Sequence, residues 1–337
     1  MEVEYVIASE LLDEEFPEAP QVSPGDDNLY TCGRIGRHNV VMACLSKGKY
    51  GLTSAASVAK DMLRSFPALR VGLMVGIGGG APSRQNDVRL GDVVVSIPSG
   101  RTGGIVHYEL GKTVQNECFE RTGSLDAPPM FLLSAVQKLS TLHKRKGHQI
   151  PQLIGATITQ NKRLRKVYTK PASTTDVLFD SSFVHADSSS ACSEICFGNG
   201  DRAVVRLSRP EDMDDPVIHY GLIASADRLM KDAQARDVLA VKEGVLCFEM
   251  EAAGLMGRFP CIVIRGICDY SDTHKNDIWQ GYASATAAAY AKALISMVPS
   301  EEVAESIPVA QCQDASVNSV VRTVDLSRQS CCQAYRY

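Results

Sequence analysis

The chain has 337 residues, 45% of them hydrophobic and 22% charged, with a formal net charge of -4. That length buries a full core, and the small negative charge supplies no bulk attraction to nucleic acid. No uninterrupted apolar segment reaches the roughly 18–20 residues that span a bilayer. The acidic opening MEVEYVIASELLDEEFPEA is unlike an export leader, so a soluble, cytoplasmic protein without a membrane or nucleic-acid partner is expected.

After a helix-like opening and the turn-rich PGDDNLY, TCGRIG and HNVVMACL read as a strand pair. TSAASVAKDMLRSF has apolar residues at helical spacing, with Thr53 or Ser54 able to cap its start. VGLMVGI and DVVVSIP, on either side of a glycine cluster, are continuously apolar, as buried parallel strands are. A helix is expected from about Met130 to His143. Residues 161–215 turn polar and read as an insertion on the surface. Patterning resumes with the strand VIHYGLIAS, the helix ADRLMKDAQARDVLA, the strand GVLCFEM running into the helix EAAGLMG, the strand CIVIRGI and the Ala-rich helix YASATAAAYAKALISMV. Alternating helices and continuous apolar strands predict one α/β domain over 1–298 with a mostly parallel sheet. Residues 299–337 are polar and aperiodic and read as a disordered tail or linker.

Eleven cysteines are scattered through the chain, and Cys44, Cys247, Cys261 and Cys268 lie within apolar runs, which points to buried free thiols. Cys192 and Cys196 form a CSEIC pair, yet no second pair or suitably spaced His set follows, so no metal site is expected. Trp279 reads as a packing anchor, Tyr108 as a weaker pocket candidate. His38, His107 and His219 are near enough to other motifs to reach a site, although a lone His is more often structural.

Three stretches carry chemistry. VGIGGGAP places Gly76, Gly78 and Ala81 in dinucleotide-fingerprint spacing, but Pro82 and a polar segment lead directly to another strand, leaving no room for the helix that would carry a pyrophosphate. Gly78, Gly79 and Gly80 would instead let backbone approach a small anion, ribose or base, or form a tight turn. CFEMEAAGLM carries Glu249 and Glu251 where a strand gives way to a helix, and CIVIRGICDYSD ends in Arg265, Asp269 and Asp272. A carboxylate at a strand end beside Ile267 and Tyr270 is placed for desolvation and general-acid work, whereas the plainer role is a loop cap. Adjacent strands would bring the two acidic ends into one cleft.

VGIGGGAPSRQNDVRLGDVVVS, HYGLIASAD, FEMEAAGL and RGICDYSD, in this order, resemble the superfamily of purine nucleoside phosphorylases and methylthioadenosine/S-adenosylhomocysteine nucleosidases. GRIGRHNVVMACL and CDYSDTHKNDIWQGYASATAAAYAKALI resemble, more narrowly, fungal nucleoside-phosphorylase-like domains, often found at the N-terminus of larger NACHT- or ankyrin-containing chains. The resemblance spans residues 4–298 and implies a three-layer α/β/α fold with a central, mostly parallel mixed sheet. It implies a site that cleaves the N-glycosidic bond of a purine nucleoside without a cofactor. Met250 would pack on the sugar beside Phe248, Glu251 would accept from the ribose hydroxyls, and Asp269 would hydrogen-bond or protonate purine N7. Ser225, Leu229 and Met230 would line the purine; Gly78 and Gly79 would face the ribose and the anion or water.

Phosphorylases of this superfamily usually carry a phosphate-holding arginine on the glycine-loop strand. Leu73 to Gly78 contains none, Arg70 precedes it and Arg84 follows, so hydrolysis of an adenosine-like nucleoside to base and ribose is expected. Phosphorolysis with phosphate as co-substrate, and a catalytically weak nucleoside-sensing module, are the alternatives. Glu4 is the best match for the water-activating glutamate, although only three residues precede it and the usual first strand is expected to be absent. The resemblance also implies a homo-oligomer.

Overall fold

A computed structural model describes residues 2–309 apart from 19, 116–118, 187–191, 197–201, 211–212, 258, 260, 300–302, 304–305 and 307. Helix α1 (Glu2–Glu10) opens it, and strands β1 (Glu14–Glu15), β2 (Tyr30–Ile35) and β3 (His38–Ala43) form a separate antiparallel sheet. Then follow α2 (Leu52–Ser65), β4 (Gly72–Gly80), β5 (Val93–Ser96), β6 (Ile105–His107), the small ribbon of β7 (Gly111–Lys112) and β8 (Glu120–Arg121), and helices α3 (Met130–Lys146), α4 (Ile150–Gln160) and α5 (Arg165–Tyr168). A 3-10 turn (Ser173–Thr175) and the single turn α6 (Cys192–Ile195) lead to β9 (Ile218–Ser225), α7 (Ala233–Glu243), β10 (Val245–Glu249), α8 (Ala252–Leu255), β11 (Cys261–Asp269) and α9 (Gln280–Met297).

The main sheet has the order β10-β4-β11-β5-β9-β6, and β10 also pairs with β9, so the sheet curls back on itself. It is mixed: β4–β11, β5–β9, β6–β9 and β9–β10 are parallel, whereas β5–β11 and β4–β10 are antiparallel. Both of its faces are buried. Side chains alternate across a strand, and on β9 Ile223 joins the large core while Leu222 and Ala224 join a second core with Val106, Val245 and Phe248. Helices α1 and α9 pack against the first face and α7 against β10 on the other, giving the expected α/β/α layering.

Helix α9 is Ala-rich because it must lie close to the sheet. Twelve of its residues are buried, and a Cβ at Gly266 of β11 would overlap the carbonyl of Ala283. The small side chains on one surface and the missing one on the other let the two backbones approach.

Four local expectations change. Helix α2 starts after Gly51 with no side-chain cap from Thr53 or Ser54; the Leu52 N–H donates to Asp227 Oδ1 at 2.7 Å instead. Helix α7 begins at Ala233, later than the periodicity suggested, because Asp232 caps it by accepting from Gln234 and Ala235 N–H. The stretch before it stays irregular. Gly78–Gly80 form no loop and continue β4, paired with Phe248 and Cys247 on one side and Ile267 and Asp269 on the other. The polar 161–215 segment holds a small core of its own, with Phe179, Cys192 and Cys196 buried, and Arg209 ties it to the buried Asp92 of the main body. Of the expected tail, Val309 N–H donates to Leu69 O; residues 310–337 lie outside the described residues.

Candidate active site

Register assembles the cleft. Gly79 lies opposite Phe248 on β10 and Asp269 on β11, so three strands present their ends in one row. The irregular stretch between β9 and α7 closes over them. Together Gly79, Arg228, Leu229, Met230, Phe248, Glu249, Met250, Asp269, Ser271 and Lys275 line a narrow, open cleft at the end of the sheet, where open α/β sheets bind ligands. Gly79 is required by this closeness: a Cβ there would overlap Ser271 Oγ and lie 2.6 Å from Asp269 Oδ1.

Asp269 is buried, and its surroundings are more polar than the sequence suggested. Its Oδ1 accepts from Ser271 N–H at 2.9 Å, its Oδ2 is paired with the Lys275 ammonium, and the Cys268 thiol lies at 3.2 Å. Ser271 turns back on the carboxylate through a left-handed backbone conformation, φ 54°, unusual for a residue with a side chain and common at functional sites. Burial alone would lower the Lys275 pKa; the Asp269 charge outweighs it and holds the ammonium above its ordinary value. Arg236, buried on α7, donates to the Tyr270 carbonyl at 2.7 Å and fixes the same turn.

A second group of charges adjoins the first. Arg265 lies in register with Gly76, and its guanidinium is paired with Glu249 and lies 3.3 Å from Glu251. Glu4 reaches across from α1, accepting from Ile77 N–H at 2.8 Å, and a Cβ at Gly76 would sit 2.5 Å from its Oε1 and overlap Arg265. The glycine therefore makes room for an Arg–Glu cluster. Burial pushes the Glu251 carboxyl above its ordinary value; Arg265 opposes this, and the charges of Glu249 and Glu4 add to it. Burial would lower the Arg265 pKa, but the three carboxylates raise it, so the guanidinium is firmly charged.

The two glutamates of CFEMEAAGLM differ. Glu249 is the more buried; besides Arg265 it accepts from the N–H groups of Glu251 and Ala252 at 3.1 and 3.0 Å, closing the start of α8. Glu251 keeps 18% of its side chain exposed.

Of the residues expected at the site, Gly79, Leu229, Met230, Phe248, Met250 and Asp269 line one cleft, and Glu251 and Glu4 join the adjoining cluster. Two stand elsewhere. Ser225 is fully buried and its Oγ accepts from Ala253 N–H at 2.9 Å, so it braces α8 and does not face the cleft. Gly78 faces the Phe248 carbonyl and the Arg265 side chain. Tyr108 stands behind the lining: its hydroxyl donates to the Arg228 carbonyl at 2.9 Å and its ring meets Phe248 edge-on. His38 contacts the Val298 carbonyl and His219 the Asp92 carboxylate, and Trp279 is buried with its N–H on Thr175, a packing role. Lys275 and the pairing of Arg265 with Glu249 and Glu251 were not anticipated. The signal for Arg265 was available, since a lone arginine inside an apolar strand must find buried carboxylates.

The spacing argument against a His set near CSEIC is also corrected. His185 and His274, far from each other in sequence, both face Cys192 and Cys196.

No protein-family model matches the chain. It is 43% identical over 295 residues to a nucleotide-binding leucine-rich repeat (NLR)-like protein of Hyaloscypha variabilis, covering 86% of this chain and 28% of that protein. The chain thus spans little more than a quarter of the length of that curated relative. Among solved structures it is similar to the 5′-methylthioadenosine/S-adenosylhomocysteine nucleosidase of Helicobacter pylori, with a TM-score of 0.54 and 14% identity over 88% of this chain and 94% of that one. It is also similar to the futalosine hydrolase of Helicobacter pylori, with a TM-score of 0.52 and 15% identity over 88% and 94%. The shared architecture identifies this chain as having the nucleoside phosphorylase-like α/β fold of the methylthioadenosine/S-adenosylhomocysteine nucleosidases.

Proposed function

We propose that the cleft binds a purine nucleoside, adenosine-like, and hydrolyses its N-glycosidic bond to free base and ribose. The observation that carries this reading is the pairing of two acidic centres in one site: Asp269 at one end of the row through Gly79, and the Glu4, Glu249, Glu251 and Arg265 cluster beside it. Cleavage passes through an oxocarbenium-like state, which calls for an acid at the base, a carboxylate on the sugar and a nucleophile beneath the ring. Asp269 would hydrogen-bond or protonate N7 as the bond from C1′ to the base breaks and its electron pair moves onto the purine. Glu251 would hold the ribose hydroxyls beside Met250. Water would add to C1′ and lose its proton to Glu4.

Hydrolysis is favoured over phosphorolysis by the cations at the site. Among the described residues that line or adjoin the cleft, Arg228 is paired with Glu109 at 2.9 Å, Lys275 with Asp269, and Arg265 with Glu249 and Glu251. Each is already neutralised, and Arg84 is exposed and does not line the cleft. A phosphate dianion would have to displace a carboxylate. The test is chromatographic: purified protein with adenosine, guanosine, inosine and methylthioadenosine, with and without phosphate. Base release independent of phosphate supports hydrolysis, and strict dependence on phosphate refutes it.

A second reading is favoured by the Lys275–Asp269 pair, which occupies the expected acid, and by similarity to one end or segment of a much longer NLR-like protein. In it the cleft binds nucleosides without turnover. A rise in Tm with nucleoside and no base release would support that reading over the first.

A further inference from the structure

We propose that His185, Cys192, Cys196 and His274 form a structural zinc site that fastens the 161–215 segment to the loop following β11. The proposal does not depend on which reaction the cleft performs.

The donor atoms of these four residues all lie within 4.8 Å of one another. Tetrahedral zinc with sulfur bonds of about 2.3 Å and nitrogen bonds of about 2.0 Å places its ligand atoms about 3.3–3.8 Å apart. Cys192 Sγ and His274 Nδ1 are 3.5 Å apart, and His185 Nδ1 and Cys196 Sγ are 3.0 Å apart. Side-chain adjustments of up to about 1 Å would therefore seat the ion. Cys192 and Cys196 are one helical turn apart, with the Cys196 N–H donating to the Cys192 carbonyl, so both sulfurs fall on one face.

An independent observation is the other side of His274. Its Nε2 lies 3.0 Å from the Phe183 carbonyl, which can only accept, so Nε2 carries the proton. That tautomer leaves the Nδ1 lone pair aimed at the cysteines. A ligand imidazole is ordinarily held this way, with its second nitrogen donating to a carbonyl or carboxylate. The ring is further fixed between Phe179, at 4.1 Å, and Phe183, stacked at 5.0 Å.

Two thiolates and two neutral imidazoles around a dication make a neutral site. Binding releases two thiol protons to solvent, and no net charge remains among Phe179, Phe183 and Val177. Sulfur with imidazole selects zinc over the hard cations, which prefer oxygen. Leu164, Tyr168 and Leu178 anchor the segment in the main core, but its later part buries only this small cluster, so a metal supplies the cross-link that such a limited apolar core would otherwise have to provide. It also immobilises His274, the neighbour of the Lys275 that pairs with Asp269.

The test uses the full chain purified without chelators from zinc-supplemented medium, with metal measured by inductively coupled plasma mass spectrometry. One zinc per chain is expected, falling to background in Cys192→Ser/Cys196→Ser. Cobalt exchanged into the wild-type protein should show the intense ligand-field absorption of a tetrahedral ion together with thiolate-to-cobalt charge transfer. The spectroscopic arm needs no variant, so it reads the site even if the double substitution prevents folding. Reduced wild-type protein that takes up no stoichiometric zinc or cobalt, a cobalt spectrum without thiolate charge transfer, or a double variant that retains its zinc would each overturn the proposal.

Discussion

Glu249→Gln and Glu251→Gln should separate stability from turnover, although the two residues stand side by side in the chain. Glu249 is 1% exposed and Arg265 4% exposed at the side chain, and the same carboxylate closes the start of α8. Breaking a buried pair from one side costs about 3–5 kcal/mol because the remaining charge is uncompensated. Glutamine keeps one acceptor for the α8 amides, and Glu251 remains 3.3 Å from Arg265, so the cost should be about 2–4 kcal/mol, below that for a full break. Glu251 is more exposed and burial already disfavours its charge, so Glu251→Gln should change stability by less than about 1 kcal/mol. It should lower kcat/KM by roughly 10- to 150-fold, because a charge-assisted hydrogen bond to a ribose hydroxyl is worth about 1.5–3 kcal/mol. Urea unfolding midpoints and base-release kinetics on the same two preparations provide the assay. If Glu249→Gln unfolds at the wild-type midpoint, or if both variants lose turnover equally, the division of roles is wrong.

Other perturbations probe separate parts of the structure. Asp92 accepts from Arg209, His219, Val217 and Arg89; burial would raise its pKa, but the Arg209 and His219 partners bring it below 3.8. A lowered folded pKa means stabilisation present above 3.8 and lost as pH falls through the folded value, so Asp92→Asn should cost about 3–5 kcal/mol at pH 7 and flatten the acid limb of the stability profile. Gly79→Ala should displace Asp269 and lower kcat by roughly 100-fold, as misplacement by about 1 Å does, measured in protein whose Tm is checked in parallel. The Glu251 shift runs the other way: its raised pKa means that kcat/KM should fall as pH drops through a value above 4.5, while the stability contribution of the protonated form is lost as pH rises through the same value. A pH profile of Glu251→Gln lacking neither feature would contradict that assignment. Glu4→Ala should abolish water activation, and unchanged hydrolysis in that variant would remove Glu4 from the mechanism.

Much of this architecture is legible in the sequence because its strands are buried on both faces. Short continuous apolar runs such as VGLMVGI and the β-branched CIVIRGI favour interior strands of a layered α/β protein, and they recur between helical patterns. What the sequence cannot disclose is register. Gly78–Gly80 looked like a loop because three glycines in succession ordinarily break a strand. Their role as strand becomes evident only when Asp269 and Ser271 are seen in the space that a Cβ at Gly79 would fill. The resemblance of SADRLM to a purine-lining segment implied Ser225 on the ligand, but its short side chain is engaged by the Ala253 amide. The Cys–His cluster depends on a contact between residues 185 and 274, a separation over which no local pattern carries information.

The central claim, hydrolysis at a cleft whose acid is Asp269, is tested most directly by measuring purine base and reducing sugar released from nucleoside in phosphate-free buffer, for the wild-type protein and Asp269→Asn. The account predicts equimolar base and ribose from the wild type and a loss of at least roughly 100-fold in Asp269→Asn, the lower bound for a general acid. Release that proceeds equally in the variant, or that appears only when phosphate is restored, would contradict it.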